Sequence, residues 1–179
     1  MTTPVFKPIQ WRTFARDFVV IQLGFALFGL ALIRANLGTS PWVMLEVALS
    51  QISGLTPGTL SVIIGLVVLV VSLVLRERIG WGTLGNMLFI GPFEDLGLYL
   101  IPPVTNNFLL QPSMLLASIL MIGLASAIYI GVNAGAGPRD SLMLAVKRTS
   151  GWSLRRTRST IEVLLVTFHL RLASHHLDE

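Results

Sequence analysis

Apolar residues gather in this chain into long stretches separated by short polar breaks. Four stretches approach the roughly 20 mostly apolar residues that a bilayer-crossing helix needs: Phe18–Ile33, Thr59–Leu75, Gly82–Ile101 and Ser113–Gly131. A helix over Thr59–Leu75 would be about 26 Å long at the usual rise per residue, close to the hydrocarbon thickness. The third stretch is less clean, because Glu94 and Asp95 lie inside it. Pro102, Pro103, Asn106, Asn107 and Pro112 then break the pattern between the third and fourth spans.

Two segments are too short to cross comfortably, Pro41–Ser53 and Pro138–Ser150. Each begins with proline, whose missing N–H is one that a helix start leaves unpaired anyway. In the first, Glu46, Ser50 and Ser53 fall on one face as a polar stripe. These segments read as re-entrant or interfacial half-helices; short tilted spans are the alternative. The last apolar stretch, Ile161–Leu170, would give only about 15 Å of helix, half a bilayer.

Composition agrees with a lipid solvent. Hydrophobic residues make up 53% of the 179 and charged residues 12%, with a mean hydropathy of +0.75. A soluble domain carries about 25% charged residues, so half the solvating charge is missing. The net charge of +4 does not point to nucleic acid, since the basic residues cluster between apolar runs without interleaved aromatics. The sequence has no cysteine, hence no disulfide, thiolate metal site or cysteine nucleophile. Apolar sequence from Phe18 runs into Arg34-Ala35-Asn36 without a small-residue cleavage site, so this stretch reads as a retained helix.

Basic residues set an orientation. Lys7, Arg12 and Arg16 precede the first span, Arg76 and Arg78 follow the second, and Arg139, Lys147, Arg148, Arg155, Arg156 and Arg158 follow the fourth. The opposite loops, about 35–57 and 101–112, contain no Lys or Arg. Placing every cluster in the cytoplasm puts the N-terminus there and alternates the spans.

A motif recurs. Asn36-Leu37-Gly38-Thr39-Ser40-Pro41 and Asn133-Ala134-Gly135-Ala136-Gly137-Pro138 both read N-x-G-x-x-P, 97 residues apart. The same spacing carries Leu45 to Leu142, Ala48 to Ala145, Ser53-Gly54 to Ser150-Gly151 and Ile64 to Ile161. Shared context at one constant offset indicates a duplicated unit. With three spans per unit, the second copy enters the membrane inverted, the plan of many secondary transporters. The first link would then lie towards the outside and the second towards the cytoplasm.

Leu37-Gly38-Thr39-Ser40-Pro41-Trp42, Gly54-Leu55-Thr56-Pro57-Gly58-Thr59, Gly82-Thr83-Leu84-Gly85-Asn86 and Ile90-Gly91-Pro92-Phe93-Glu94-Asp95 follow in order, and Gly135-Ala136-Gly137-Pro138-Arg139-Asp140-Ser141-Leu142-Met143 comes later. This set resembles the YczE/YitT-like membrane proteins of bacteria over roughly residues 18–165. The resemblance implies multi-pass proteins of the bacterial cytoplasmic membrane, mostly without assigned function, some classed as candidate exporters of small molecules. One departure stands out: the counterpart of Gly82–Asp95 would begin near 179, where the chain stops, and Ser174–Glu179 matches nothing in the first unit. A truncated, inactive product is the expectation this raises.

Candidate chemistry is sparse. Asn36, Gly38 and Pro41, with Asn133, Gly135 and Pro138, could form substrate- or ion-binding breaks in the helices; the plain alternative is a helix end where asparagine and glycine tolerate left-handed backbone. The starts of the short helices carry positive dipole ends that favour anionic groups, either a substrate or the local Asp140. Carboxylates within a membrane cost about 2.5–3.5 kcal/mol at a helix centre, which makes Glu46, Asp95 and Asp140 candidates for proton or cation coupling, with Glu94 and Glu162 behind them. The plain alternatives are Asp140 paired with Arg139 or Lys147, and Glu94-Asp95 at the interface near Tyr99. His169, His175 and His176 lack further ligands for a metal, and Gly123, Ala125, Ser126 and Ala127 suit close helix packing. No nucleophile–base set, phosphate loop or dinucleotide fingerprint is present.

The sequence therefore reads as an all-α polytopic membrane protein with an inverted duplicated unit. Its parts are a cytoplasmic segment 1–17, a first repeat 18–101, an external loop 102–112, an incomplete second repeat 113–172 and a tail 173–179. The expected function is a small-molecule transporter or exporter, not an enzyme, without cofactor or metal. Its expected partners are membrane lipid and a small-molecule substrate. The alternative is a non-transporting component that assists or regulates another membrane complex. The oligomeric state is left open.

Overall fold

The computed structural model describes residues 33–34, 37–77, 79–104, 107–132 and 136–177, with 126–132 and 173–177 described through their backbone. The described residues hold helices and no strand: α1 Pro41–Ser53, α2 Pro57–Val74, α3 Trp81–Leu100, α4 Leu110–Val132, α5 Pro138–Ser150 and α6 Leu154–Leu177.

Local chemistry sets these ends. Ser40 precedes α1 in extended backbone, its hydroxyl accepts from the Val43 N–H at 3.4 Å, and Pro41 takes the first helical position. Thr56 does the same for α2, accepting from the Thr59 N–H at 3.2 Å ahead of Pro57. Helices α1 and α5 are both 13 residues long, and both stop on a left-handed glycine, Gly54 at φ 73° and Gly151 at φ 70°. Each of these glycines returns its N–H to the carbonyl four residues back, Ser50 and Lys147 respectively. Helix α5 also carries Asp140 in its first turn and Lys147 and Arg148 in its last, charges that suit its dipole.

Helix α2 lies at the centre and packs against α1, α3 and α5; α6 packs against α1 and α5, and α3 touches α5. The α2–α3 contact is the tightest point. A Cβ at Gly58 would collide with the Gly91 carbonyl, and one at Gly91 would collide with the Gly58 carbonyl. Two glycines facing each other let the backbones meet, as in helix packing inside membranes. At the far end of α2, Arg148 donates to the Leu75 carbonyl and pairs with Glu77 at 2.9 Å, tying the ends of α2 and α5 together.

The packing has the polarity of a lipid-solvated protein. The largest fully buried side chains are Glu46, Thr83, Thr157, Ser72, Ser118 and Ser141. Leu66, Val67, Val70 and Val74 of α2, Leu120 and Leu124 of α4, and Leu164 and Phe168 of α6 are exposed. In water this arrangement would leave an apolar outer face far beyond what a monomer tolerates; against acyl chains it costs nothing.

The short helices Pro41–Ser53 and Pro138–Ser150 form with the expected bounds. Helices also occupy three expected spans, as Pro57–Val74, Trp81–Leu100 and Leu110–Val132. Among the described residues, α2 alone is long and apolar enough to cross a membrane by length and composition, and Leu110–Ala125 is a shorter apolar helical piece. Expected span Phe18–Ile33 lies outside the described residues, except for Ile33.

One expectation is corrected and two gain detail. The last helix is 24 residues, Leu154–Leu177, rather than the ten of Ile161–Leu170. Within its polar first half Arg158 and Glu162 pair one turn apart at 2.8 Å, a contact that hydropathy does not register. Along the α1 stripe burial falls towards the C-terminal end: Glu46 is fully buried, whereas Ser53 is exposed. Ser50 and Ser53 instead serve the helix end, donating to the carbonyls of Leu55 and Leu49 at 2.6 and 2.7 Å. In α4, Ala125 is buried and Gly123 faces open space, while the side chains of Ser126 and Ala127 lie outside the described residues.

Candidate functional site

A cavity of about 390 Å³ lies where α1, α2, α3, α5 and α6 converge, with Ile122 of α4 on its wall. Its polar frame begins with the starts of the two half-helices, Ser40-Pro41 and Gly137-Pro138, both on the wall. The segment before α5 is held there by its Ala136 carbonyl, which accepts from the hydroxyls of Thr83 on α3 and Ser141 on α5. Asn86 and Asp140 reach the same place, each with a side-chain oxygen beside Gly137.

The central polar contact crosses between the half-helices. Arg139 donates to Glu46 and to Ser61 Oγ, the latter at 3.3 Å, and its guanidinium lies over the Trp42 ring, 5.2 Å from the centroid. Glu46 is completely buried, and its second oxygen, Oε2, has no hydrogen-bond partner. On α3, Glu94 lines the same cavity at 2% exposure, and its Oε1 is buried and equally unpartnered. Pro92 sits two residues before it inside the helix and supplies no N–H for the Leu88 carbonyl. The remaining charged wall is more open: Asp140 is exposed, and the Arg158–Glu162 pair is 71% and 36% exposed. Val43, Met87, Ile90, Met143 and Ile161 fill the apolar part.

Of the residues singled out from sequence, Pro41, Glu46, Pro138 and Asp140 converge on this cavity. Gly38, at φ 108° just ahead of α1, does not line it. Asn36, Asn133 and Gly135 lie outside the described residues. Asp95 faces elsewhere and caps α2 from α3: Oδ1 accepts from the Gly58 N–H at 2.8 Å and Oδ2 from the Thr56 hydroxyl. Glu94, weighed in sequence as a residue of the membrane interface near Tyr99, is buried, while Tyr99 is 87% exposed. The two links were expected towards opposite sides, yet their helix starts share one cavity. Arg139 and Arg158 accordingly face the cavity and leave the tally of loop charges.

Sequence reasoning treated Arg139 as a loop charge and a partner for Asp140, and gave Trp42, Ser61 and Arg158 no role in a site. The signal was present in the spacing: Trp42 and Arg139, Ser61 and Arg158, and Gly65 and Glu162 are each 97 residues apart, and all six line the cavity.

Residues 12–178 match DUF6198, a family of unknown function. The uncharacterized membrane protein YczE of Bacillus subtilis is 31% identical over 161 residues, covering 88% of this chain and 72% of its own. An uncharacterized protein of Haemophilus influenzae is 27% identical over 156 residues, 86% of this chain and 71% of its own. Uncharacterized protein YyaS of Bacillus subtilis is 28% identical over 162 residues, 88% of this chain and 78% of its own. No solved structure matches the chain significantly. The inverted polarity of the packing agrees with the membrane designation of YczE, and the protein is a helical membrane protein. The chain belongs to the DUF6198 family and is YczE-like.

Proposed function

We propose that this protein is a small-molecule transporter of the bacterial cytoplasmic membrane, built as two inverted copies of one unit with its substrate site in the cavity between them. The observation that carries this reading is the pairing of wall positions. Pro41 with Pro138, Trp42 with Arg139, Glu46 with Met143, Ser61 with Arg158 and Gly65 with Glu162 are all 97 residues apart and all line one cavity. A cavity lined by equivalent positions of two copies lies on the axis that relates them, which is where transporters of this plan hold substrate, between the N-termini of interrupted helices.

The helix contacts support the same symmetry. Exchanging the copies turns α1 into α5 and α2 into α6, and the observed α2–α5 contact then becomes the observed α6–α1 contact. In this reading α1 and α5 are half-helices that start near the membrane centre and run to opposite faces. Lys7, Arg12, Arg16, Arg76 and the group Lys147, Arg148, Arg155 and Arg156 mark the cytoplasmic face, with the Arg148–Glu77 pair supporting a common side for the ends of α2 and α5.

The test is purified protein in liposomes loaded with single members of a small-molecule panel. Counterflow above that of empty liposomes, lost when Met143→Trp fills the cavity, is expected. No solute movement for any member, with folded protein verified in the vesicles, would overturn the reading.

A further inference from the structure

We infer that the cavity accepts a monovalent organic cation with an apolar body, which takes its charge partner from Glu94 and displaces a proton from it. This rests on the transporter reading above and adds the substrate class.

The argument is an accounting of charge on the cavity wall. Two cations are present and both are engaged: Arg139 with Glu46, Ser61 and Trp42, and Arg158 with Glu162. The start of α1 is capped by Ser40, and α5 carries the acid Asp140 in its own first turn. Among the described wall residues the acids Glu46, Glu94, Asp140 and Glu162 outnumber the bases Arg139 and Arg158, so an anion is the less favoured occupant. Among the carboxylates, Glu94 is buried with an unpartnered Oε1, and the free Oε2 of Glu46 is likewise buried. The charged groups that act on Glu94 or share its cavity are Asp95, its chain neighbour on α3, Glu46 on α1, Arg139 and Asp140 on α5, and Arg158 and Glu162 on α6. Four acids besides Glu94 against two bases leave no cation over for it.

A bare carboxylate shielded from water is costly, and one positive occupant removes that cost. A proton does so by bonding to the carboxyl, an organic cation by lying against the carboxylate; one carboxyl cannot serve both. Binding therefore moves the proton from Glu94 to water as the cation arrives, and the charge of the cavity is the same before and after. A metal ion fits poorly, because hard cations require about six oxygen ligands, whereas Met87, Ile90, Ile122, Met143 and Ile161 make part of this wall apolar. The volume of about 390 Å³ suits a small organic molecule.

Isothermal titration of the full chain in detergent tests this with three probes of similar size: benzyltrimethylammonium, benzyl alcohol and benzylphosphonate. The cation alone is expected to bind, one per chain, and to release one proton, read from titrations in two buffers of different ionisation heat. Affinity should rise with pH. Glu94→Gln should weaken it on the order of 100-fold, Glu94→Asp should retain it with proton release, and Met143→Trp should abolish it in a chain that keeps Glu94. Preference for the phosphonate or the alcohol, equal binding by Glu94→Gln, or binding without proton release would overturn the inference while leaving transport standing. Absence of binding by all three, together with absence of counterflow in liposomes, would bring down both.

Discussion

The guanidinium of Arg139 lies over the ring of Trp42, 5.2 Å from its centroid, and these residues hold the second helical position of α5 and of α1. Equivalent positions of the two half-helices thus touch each other across the cavity. The same guanidinium grips Glu46, so one side chain of α5 anchors two of α1. Replacing Arg139 by Gln should destabilise the protein by about 2 kcal/mol or more, because it leaves a fully buried carboxylate alone. Adding Glu46→Gln should restore part of the loss, with a coupling of about 1–3 kcal/mol. Thermal melts in detergent followed by tryptophan fluorescence measure each corner of the cycle.

Gly58 and Gly91 predict a steric result. Gly91→Ala brings a methyl group against the Gly58 carbonyl and, at 2.9 Å, against Val62, and should cost about 1–3 kcal/mol. Gly123→Ala on α4 meets nothing and should be neutral or stabilising by up to about 1 kcal/mol, through better helix propensity. Opposite signs in the same melt are expected. Similar losses for both would refute the close α2–α3 contact.

Asp95 predicts a separation of stability from binding. It holds the first turn of α2 through Thr56 and Gly58 and stands off the cavity wall. Asp95→Ala should lower stability by about 1–2 kcal/mol and change benzyltrimethylammonium affinity far less than Glu94→Gln does. A selective loss of affinity at full stability would make Asp95 part of the site.

The matched helix ends predict matched energetics. Gly54 and Gly151, with φ of 73° and 70°, have nothing near a would-be Cβ, so substitution by alanine is penalised by backbone alone. Each should cost about 1 kcal/mol, and the double variant about their sum. A large difference between the two would mean that the caps are not equivalent.

How far the sequence carried depends on which signals are local. Proline at 41 and 138 and glycine at 54 and 151 fixed both ends of the half-helices, so their bounds were legible to the residue. Capping by Ser40 and Thr56 lies equally within one turn of its target. The site was harder to see because its contacts cross between elements: Arg139 finds Glu46 93 positions away, and Asp95 turns from a candidate ligand into a cap for a helix start 37 positions earlier. Hydropathy also misled at α6, where residues too polar to score as apolar, the Arg158–Glu162 pair among them, are helical all the same. The 97-residue offset held the missing information. Applied to Trp42 and Ser61 as well as to the link itself, it points to Arg139 and Arg158 before any coordinates exist.

The inverted arrangement is the claim on which the site depends, and the absence of cysteine from the sequence makes it directly measurable. Ser53 and Ser150, exposed at the ends of α1 and α5, are replaced singly by cysteine and treated in intact cells with a membrane-impermeant maleimide. The account predicts labelling of Ser53→Cys from outside, and of Ser150→Cys only after the membrane is opened. Both cysteines responding from the same side would contradict it.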